Sequence, residues 1–286
     1  MKISELFNKN KQVFSFEIFP PKKDGSIETV FDTIEKLGDL EPAFISVTYG
    51  ANGSGAKGNT VRIADVIKNK YGLETMAHLS CINHDKTEID EILDRLKDCG
   101  VENILALRGD RSPDVEPKNV FRYAADLAEY ISSKGGFHIS GACYPEVHTE
   151  AEDAVSDILN LKKKVDSGVS HLISQLFFDN SAFYSFLERC RIAGIRVPIE
   201  AGIMPVTNAA QIQRMVTMCG ASLPAKFSRI IQRYGDNPAA LEDAGIAYAV
   251  EQIVDLLSNG VDGIHLYTMN RPAMAKKIVD AVKNLF

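Results

Sequence analysis

Eight short apolar runs recur along the chain, and their spacing constrains the fold more than any other feature. They begin at residues 14 (FSFEIFP), 44 (FISVTYG), 74 (ETMAHLSC), 103 (NILALRGD), 138 (HISGACYP), 171 (HLISQLFFD), 198 (PIEAGIMPV) and 263 (GIHLYTMN). Each is too short for a typical helix, and turn residues often bound it, which is the pattern of buried strands. Between them SIETVFDTIEKLGDL, TEIDEILDRLKDCG and NVFRYAADLAEYISSKG carry apolar residues at i, i+3, i+4 and i+7. Glycine follows several of these segments, as at helix C-termini. Eight strand–helix units in 286 residues match the size and period of an α/β fold of the (β/α)8 TIM-barrel type, one domain over residues 1–286. The long stretch before the last run reads as extra helices, LPAKFSRIIQRYG and NPAALEDAGIAYAVEQIVDLLSNG, between strands 7 and 8. A doubly wound open sheet is the alternative. It would normally carry a GxGxxG turn after the first strand, where this chain has FPPKKDG.

Charge and composition exclude several classes. A net charge of −6 argues against nucleic-acid binding by bulk electrostatics. No apolar run is long enough for a membrane span. Five widely spaced cysteines without CxxC argue against a disulfide framework or a structural zinc site and for a reducing, cytoplasmic setting. No HExxH or Cys/His cluster suggests a catalytic metal, and no GxSxG elbow suggests a serine hydrolase. No lysine sits near a strand's C-terminal end, as a Schiff-base aldolase would need.

Polar residues collect at one end of the strands. Alternation puts Ser15, Glu17 and Phe19 on one face, as it does Ser46 with Thr48, and Met76 with His78 and Ser80. The same rule groups Ala106, Arg108 and Asp110, then Ala142 and Tyr144, then Gln175, Phe177 and Asp179, and last His265, Tyr267 and Met269. The polar members lie mostly toward the C-terminal ends, the active-site face of barrel enzymes. Glu17 is the least expected, because burying a carboxylate costs several kcal/mol unless it is compensated. Such an acid suits proton donation. A helix from about Glu150 places Asp157, Asn160 and Lys164 on one stripe, either a solvated face or a rim that holds a polar cofactor. Arg271, just past the last strand, suits an anionic ligand. One embedded acid, few other catalytic side chains and a polar rim fit an enzyme whose hard chemistry belongs to an organic cofactor.

FSFEIFPPK, FISVTYGANG, AHLSCI, ILALRGD, YPEVH, NLKKKVDSG, SQLFFD, GIMPV and LYTMNR, in that order from about residue 13 to 272, closely resemble the bacterial 5,10-methylenetetrahydrofolate reductase family. The resemblance implies a flavin-dependent barrel that passes reducing equivalents from NADH or NADPH through FAD to 5,10-methylenetetrahydrofolate, in ping-pong order, giving 5-methyltetrahydrofolate. It implies that Glu17 is the general acid and that Asp110 contacts the pterin and tunes the flavin. It carries FAD contacts onto Thr48, Tyr49, Ala51, His78, Arg108, Gly109, Asp110, Tyr123, Ala124, Tyr144, His148, Ala151, Asp157, Asn160, Lys163 and Lys164. Substrate contacts fall on Glu17, Asp110, Gln175, Gln211, Met215, Tyr267 and Arg271.

Two positions depart from the family pattern. Met215 stands where related sequences can have a stacking phenylalanine, and Lys163 where an arginine can occur. The C-terminal regulatory domain of animal forms is not expected, nor control by adenosylmethionine. A homo-oligomer is expected. Two competing readings follow: a folate-binding flavoprotein subunit reduced by a partner protein rather than by NAD(P)H, and a methyltransferase-type pterin-binding barrel without flavin.

Overall fold

The computed structural model describes residues 1–9, 12–21, 25–49, 59–111 and 115–286. Eight parallel strands close into a barrel in sequence order, with β1 paired to β8. They are β1 (Val13–Ile18), β2 (Ile45–Val47), β3 (Thr75–Ser80), β4 (Asn103–Leu107), β5 (His138–Cys143), β6 (His171–Ser174), β7 (Ile199–Ile203) and β8 (Gly263–Tyr267). Each falls within or at the edge of a predicted run. The helices are α1 (Ile27–Gly38), α2 (Asn59–Asp65), α3 (Lys86–Asp98), α4 (Ala124–Lys134), α5 (Ala154–Asp166), α6 (Asn180–Ile192), α7 (Ala209–Cys219), α8 (Ala225–Tyr234), α9 (Pro238–Ser258) and α10 (Pro272–Val282). The interval between β7 and β8 thus holds three helices, where two were predicted. The added one, α7, covers AAQIQRMVTMC.

Local chemistry sets the helix starts. Asp85 and Glu88 exchange side-chain and backbone hydrogen bonds of 3.0 Å in a capping box that opens α3. A second box, Asp153 with Ser156, starts α5 at Ala154 rather than near Glu150. The residues ahead of it turn instead, with the Ala151 amide donating to the His148 carbonyl at 2.8 Å. Pro238 follows the Asn237 cap of α9, where its missing N–H leaves no helical bond unmade.

The strands are buried on both faces, which is why they read as continuous apolar runs. Phe16, Ile18, Val47, Leu79 and Ile104 pack outward against the helices. Val13, Phe44, Met76, Leu105 and Ile173 fill the barrel interior together with Ile3. An N-terminal 3-10 turn, Ile3–Lys9, forms part of this inner cluster. Its Ile3 amide donates to Asn103 Oδ1 at 2.9 Å, and Phe7 stacks on His171 with ring centroids 5.0 Å apart.

The alternation assigned to β4 needs correction. The register pairs Met76 with Asn103 and His78 with Leu105, so Asn103, Leu105 and Leu107 share the inner face. Ala106 packs in the outer cluster. A strand apolar on both sides carries no alternating signal to fix its facing.

Candidate active site

Glu17 lies one residue before the end of β1 and is 8% exposed. Its backbone is held from the far end of the chain. Its carbonyl accepts from Thr268 Oγ1 at 2.6 Å and from the Thr268 amide at 3.3 Å. Two residues on, Asn270 pairs with Phe19 in both directions at 2.8 Å, the side-chain amide closing on the Phe19 N–H and C=O. Asn270 has φ of 55°, a left-handed conformation that asparagine tolerates better than most residues. The segments FSFEIFPP and LYTMNR are therefore one structural unit. Neither Thr268 nor Asn270 was among the predicted site residues, because a seam between first and last strands leaves no local mark.

Two imidazoles face the Glu17 carboxylate. His78 Nε2 stands 3.6 Å and His265 Nε2 3.8 Å from Oε2, beyond hydrogen-bond length but within electrostatic reach. Burial pushes the His78 ring down to about 4, so it is neutral near pH 7. The His265 ring is fully buried: its Nδ1 lies 2.6 Å from Ser15 Oγ and its Nε2 3.2 Å from Ser46 Oγ. Ser15, Ser46 and His265 share the inner face with Glu17, as alternation predicted.

A cavity of about 650 Å³ opens beside the C-terminal ends of β4 and β5, a size typical of cofactor sites. Of the predicted cofactor residues, Arg108, Tyr123, Ala124, Tyr144 and His148 line it. So do Ala151, Asp157, Asn160, Lys163 and Lys164. The stripe on α5 thus borders a cavity rather than open solvent alone.

Electrostatics on the cavity wall are specific. Arg108 grips Glu150 through both Nη atoms, at 2.8 Å for Nη2 to Oε1, and this bond holds the Glu150 carboxyl down at about 2. Glu150 was not among the predicted residues, since an acid in a turn gives no periodic signal. Lys164 Nζ donates to the Ala142 carbonyl at 2.7 Å, and burial lowers its pKa. Burial likewise raises the Asp157 carboxyl, whose Oδ2 accepts from the His148 amide at 3.2 Å. The Tyr144 phenol is pushed up to about 12, by burial first and the neighbouring Asp110 charge second.

Other predicted residues lie around this cavity or away from it. Asp110 is exposed, just after Gly109. Gly109 has φ of 89°, and a Cβ there would meet Ser80 Cβ at 3.0 Å, so the RGD turn requires glycine. Thr48 extends β2, its amide donating to the Ile18 carbonyl at 3.0 Å. The Tyr49 phenol lies 3.0 Å from His84 Nε2, and its ring packs on the outer cluster. Ala51 lies outside the described residues.

On the substrate side, Gln175 Oε1 accepts from the Leu176 amide at 2.9 Å. Tyr267 Oη donates to the Ser174 carbonyl at 2.7 Å. Burial raises that phenol well above its ordinary value, with the Glu17 charge the next cause. Gln211 and Met215 both lie on α7, where Met215 packs against the cluster of Met204, Ile212 and Phe227. Arg271 is not a free guanidinium: it donates to Thr207 Oγ1 at 2.7 Å and pairs with Glu242. Among the described residues no group of three or more His, Cys, Asp or Glu side chains could hold a metal ion. No described helix is long and apolar enough to cross a membrane.

The profile of the family described as methylenetetrahydrofolate reductase matches residues 2–283. The chain belongs to the methylenetetrahydrofolate reductase family. It is 39% identical over 264 residues to the 5,10-methylenetetrahydrofolate reductase of Escherichia coli, covering 92% of this chain and 88% of that one. The reductase of Pectobacterium carotovorum is 38% identical over the same coverage. Methylenetetrahydrofolate reductase (NADH) 1 of Arabidopsis thaliana is 37% identical over 94% of this chain, which spans 48% of that longer protein. Among solved structures, an uncharacterized protein from Clostridium thermocellum that binds two copies of 5-methyl-5,6,7,8-tetrahydrofolic acid superposes with a TM-score of 0.67 at 13% identity. It covers 100% of this chain and 99% of its own, and the likeness is one of fold. As a member of the methylenetetrahydrofolate reductase family, the protein is an oxidoreductase of folate one-carbon metabolism.

Proposed function

We propose that the whole barrel is one flavin-binding catalytic unit that reduces 5,10-methylenetetrahydrofolate to 5-methyltetrahydrofolate with NADH or NADPH, in two half-reactions at one site. The observation that carries this reading is Glu17, an acid at the mouth of the barrel facing two buried imidazoles, on the same strand-end face as the cavity. The cavity's donor set fits FAD. Lys163, Lys164 and Arg108 offer cations to a diphosphate, Asn160 and Asp157 offer polar contacts, and Tyr144 and His148 offer aromatic surface. A lysine amine whose charge is disfavoured by burial gains most from an anion placed beside it. Bound FAD would supply the hydride transfer between nicotinamide and folate.

The chain's own residues would do the rest. Glu17 gives a proton to the folate nitrogen released as the imidazolidine ring opens, while His78 and His265 hold its carboxyl in place. Gln175 and Tyr267 orient the pterin ring, and Asp110 biases the flavin through its charge. For the folate's acidic tail, Arg271 must exchange Glu242 for a substrate carboxylate.

The test is anaerobic titration of the purified protein with each nucleotide. Yellow protein whose flavin absorbance bleaches with NADH or NADPH, and returns on adding 5,10-methylenetetrahydrofolate, is the expected result. Flavin that no nucleotide reduces favours the second reading, a subunit reduced by a partner protein. Met215, which packs against an apolar cluster and carries no ring of its own to stack on a nicotinamide, gives that reading its support. Colourless protein that FAD does not reconstitute overturns both.

A further inference from the structure

Below Glu17 the barrel holds a second acid that the proposed reaction leaves idle. Glu200, on β7, is 0% exposed. It reaches across β8 to β1, where its Oε1 lies 2.7 Å from Ser15 Oγ, in hydrogen-bond contact. The strand between makes this possible. Glu200 is in register with Gly263, and a Cβ at Gly263 would lie 3.0 Å from Glu200 Cγ. Ser15 Oγ also lies 2.6 Å from His265 Nδ1, and the opposite ring nitrogen of His265 faces Glu17. The two carboxyls are thus the ends of one file: Glu200, Ser15, His265, Glu17. All members except Glu17 are fully buried.

We propose that Glu200 is a positioning residue that stores a proton for Glu17 and delivers it through Ser15 and His265. This rests on the reading of Glu17 as the acid of the folate half-reaction. The file has two self-consistent states that differ by the transfer of one proton. In the storing state Glu200 carries the proton and donates to Ser15 Oγ, Ser15 donates to His265 Nδ1, and His265 Nε2–H faces an ionised Glu17. In the delivered state each bond has reversed. His265 Nε2–H has passed its proton to Glu17, Nδ1 has taken one from Ser15, and Ser15 has taken one from Glu200. No proton is created or lost, and His265 is neutral in both states. The step needs the 3.8 Å between His265 and Glu17 to close by about 1 Å, a small side-chain movement. Ser46, 3.2 Å from Nε2, can donate to or accept from that nitrogen, so it tolerates either tautomer.

The surroundings favour storage. His171 on β6 stands 3.0 Å from Glu200 Oε2 but out of line for a hydrogen bond, and its Nδ1 is 2.9 Å from Ser140 Oγ. Burial pushes both His171 and His138 behind it down to about 3, so neither offers a cation. Asp262, ahead of β8, adds a like charge, and only His265 and the Ser15 hydroxyl favour the ionised form. With burial as the largest cause, Glu200 is pushed up to about 8 and is protonated at neutral pH. Glu17 faces His78 on β3 and His265 and Tyr267 on β8, with the cleft as its other side. When substrate excludes water from that cleft, the file is the remaining proton source.

The first measurement needs no turnover. In protein labelled at the glutamate carboxyl carbons, the resonance lost in Glu200→Gln should titrate above neutral pH, and its midpoint should move in Glu17→Gln. In Ser15→Ala, which keeps both carboxyls, that midpoint should no longer respond to Glu17→Gln. Single-turnover reoxidation of reduced flavin by the folate substrate is the second measurement. Glu200→Gln should lose about tenfold above neutral pH and little below it, so that the alkaline limb moves down by about one unit. If Glu200→Gln does not fold, Ser15→Ala carries the same kinetic expectation. A Glu200 resonance that titrates in the ordinary carboxyl range, or a Ser15→Ala profile superimposable on wild type, overturns the proposal. Absence of flavin reduction in the wild type would instead overturn the proposed reaction, and the carboxyl titration would still read the file.

Discussion

At the scale of single residues, the site rests on a carboxylate placed by its backbone more than by its side chain. Glu17 makes no short side-chain bond to the histidines beside it, whereas its carbonyl is fixed by Thr268. Glu17→Gln should leave flavin reduction by nicotinamide intact and lower the folate half-reaction by about 10²–10⁴, a range usual for loss of a general acid. Stopped-flow measurement of each half-reaction separates the two, and equal losses in both would remove the acid role. Thr268→Val removes a buried hydroxyl bond while keeping shape. It should cost about 1–2 kcal/mol in urea unfolding. It should also slow the folate half-reaction without changing flavin content, because the acid loses its register before the cofactor cavity loses a wall.

At the scale of elements, the N-terminal turn packs Ile3 and Phe7 into the barrel, and one side chain supplies polar ties at its start. Asn103 accepts from the Ile3 amide and donates to the Met1 carbonyl at 3.1 Å and to Glu74 Oε1 at 3.0 Å. Asn103→Ala should cost about 1–3 kcal/mol by leaving buried partners unmade. Faster hydrogen exchange at the Ile3 amide should accompany that loss, with the exchange of β4 itself little changed. This turn was not legible in the sequence, since a short 3-10 segment has neither period nor length to announce it. The strands were legible because burial on both faces forces long apolar runs. The same cause hid the facing of β4, where Leu105 rather than Ala106 turns inward. The stripe Asp157, Asn160 and Lys164 was legible from helical spacing, but its Arg108–Glu150 neighbour was not, because the two are brought together by a turn. Glu200 carried the same signal as Glu17, an acid inside an apolar run. PIEAGIMPV passed as a plain strand because its acid sits near the start of the run, away from the catalytic end.

At the scale of the whole molecule, the polar barrel interior makes stability depend on pH from two sides. His78, His138 and His171 ordinarily titrate at 6.5 and are pushed down to about 4, 3 and 3 by burial. Their contribution is complete above 6.5 and is lost as pH falls toward the folded values, because the unfolded chain binds the extra protons. Glu200 is shifted up from 4.5 to about 8, so its contribution is complete below 4.5 and is lost as pH rises through 8. Three histidines outweigh one acid where the ranges overlap. Urea unfolding should therefore show a maximum near 6.5, and Glu200→Gln should flatten the alkaline decline while leaving the acid one. The seam that closes the barrel has a consequence in time as well. Phe19 and Asn270 are 251 residues apart in the chain. During synthesis at about 5–20 residues per second, roughly 10–50 s separate their emergence from the ribosome. For that interval the first strand has no eighth strand to lie against, and the nascent barrel presents an open, unpaired edge. The acid is among the earliest residues made and among the last to be set in place, so ribosome-bound chains stalled before His265 should bind folding helpers until the final strand arrives.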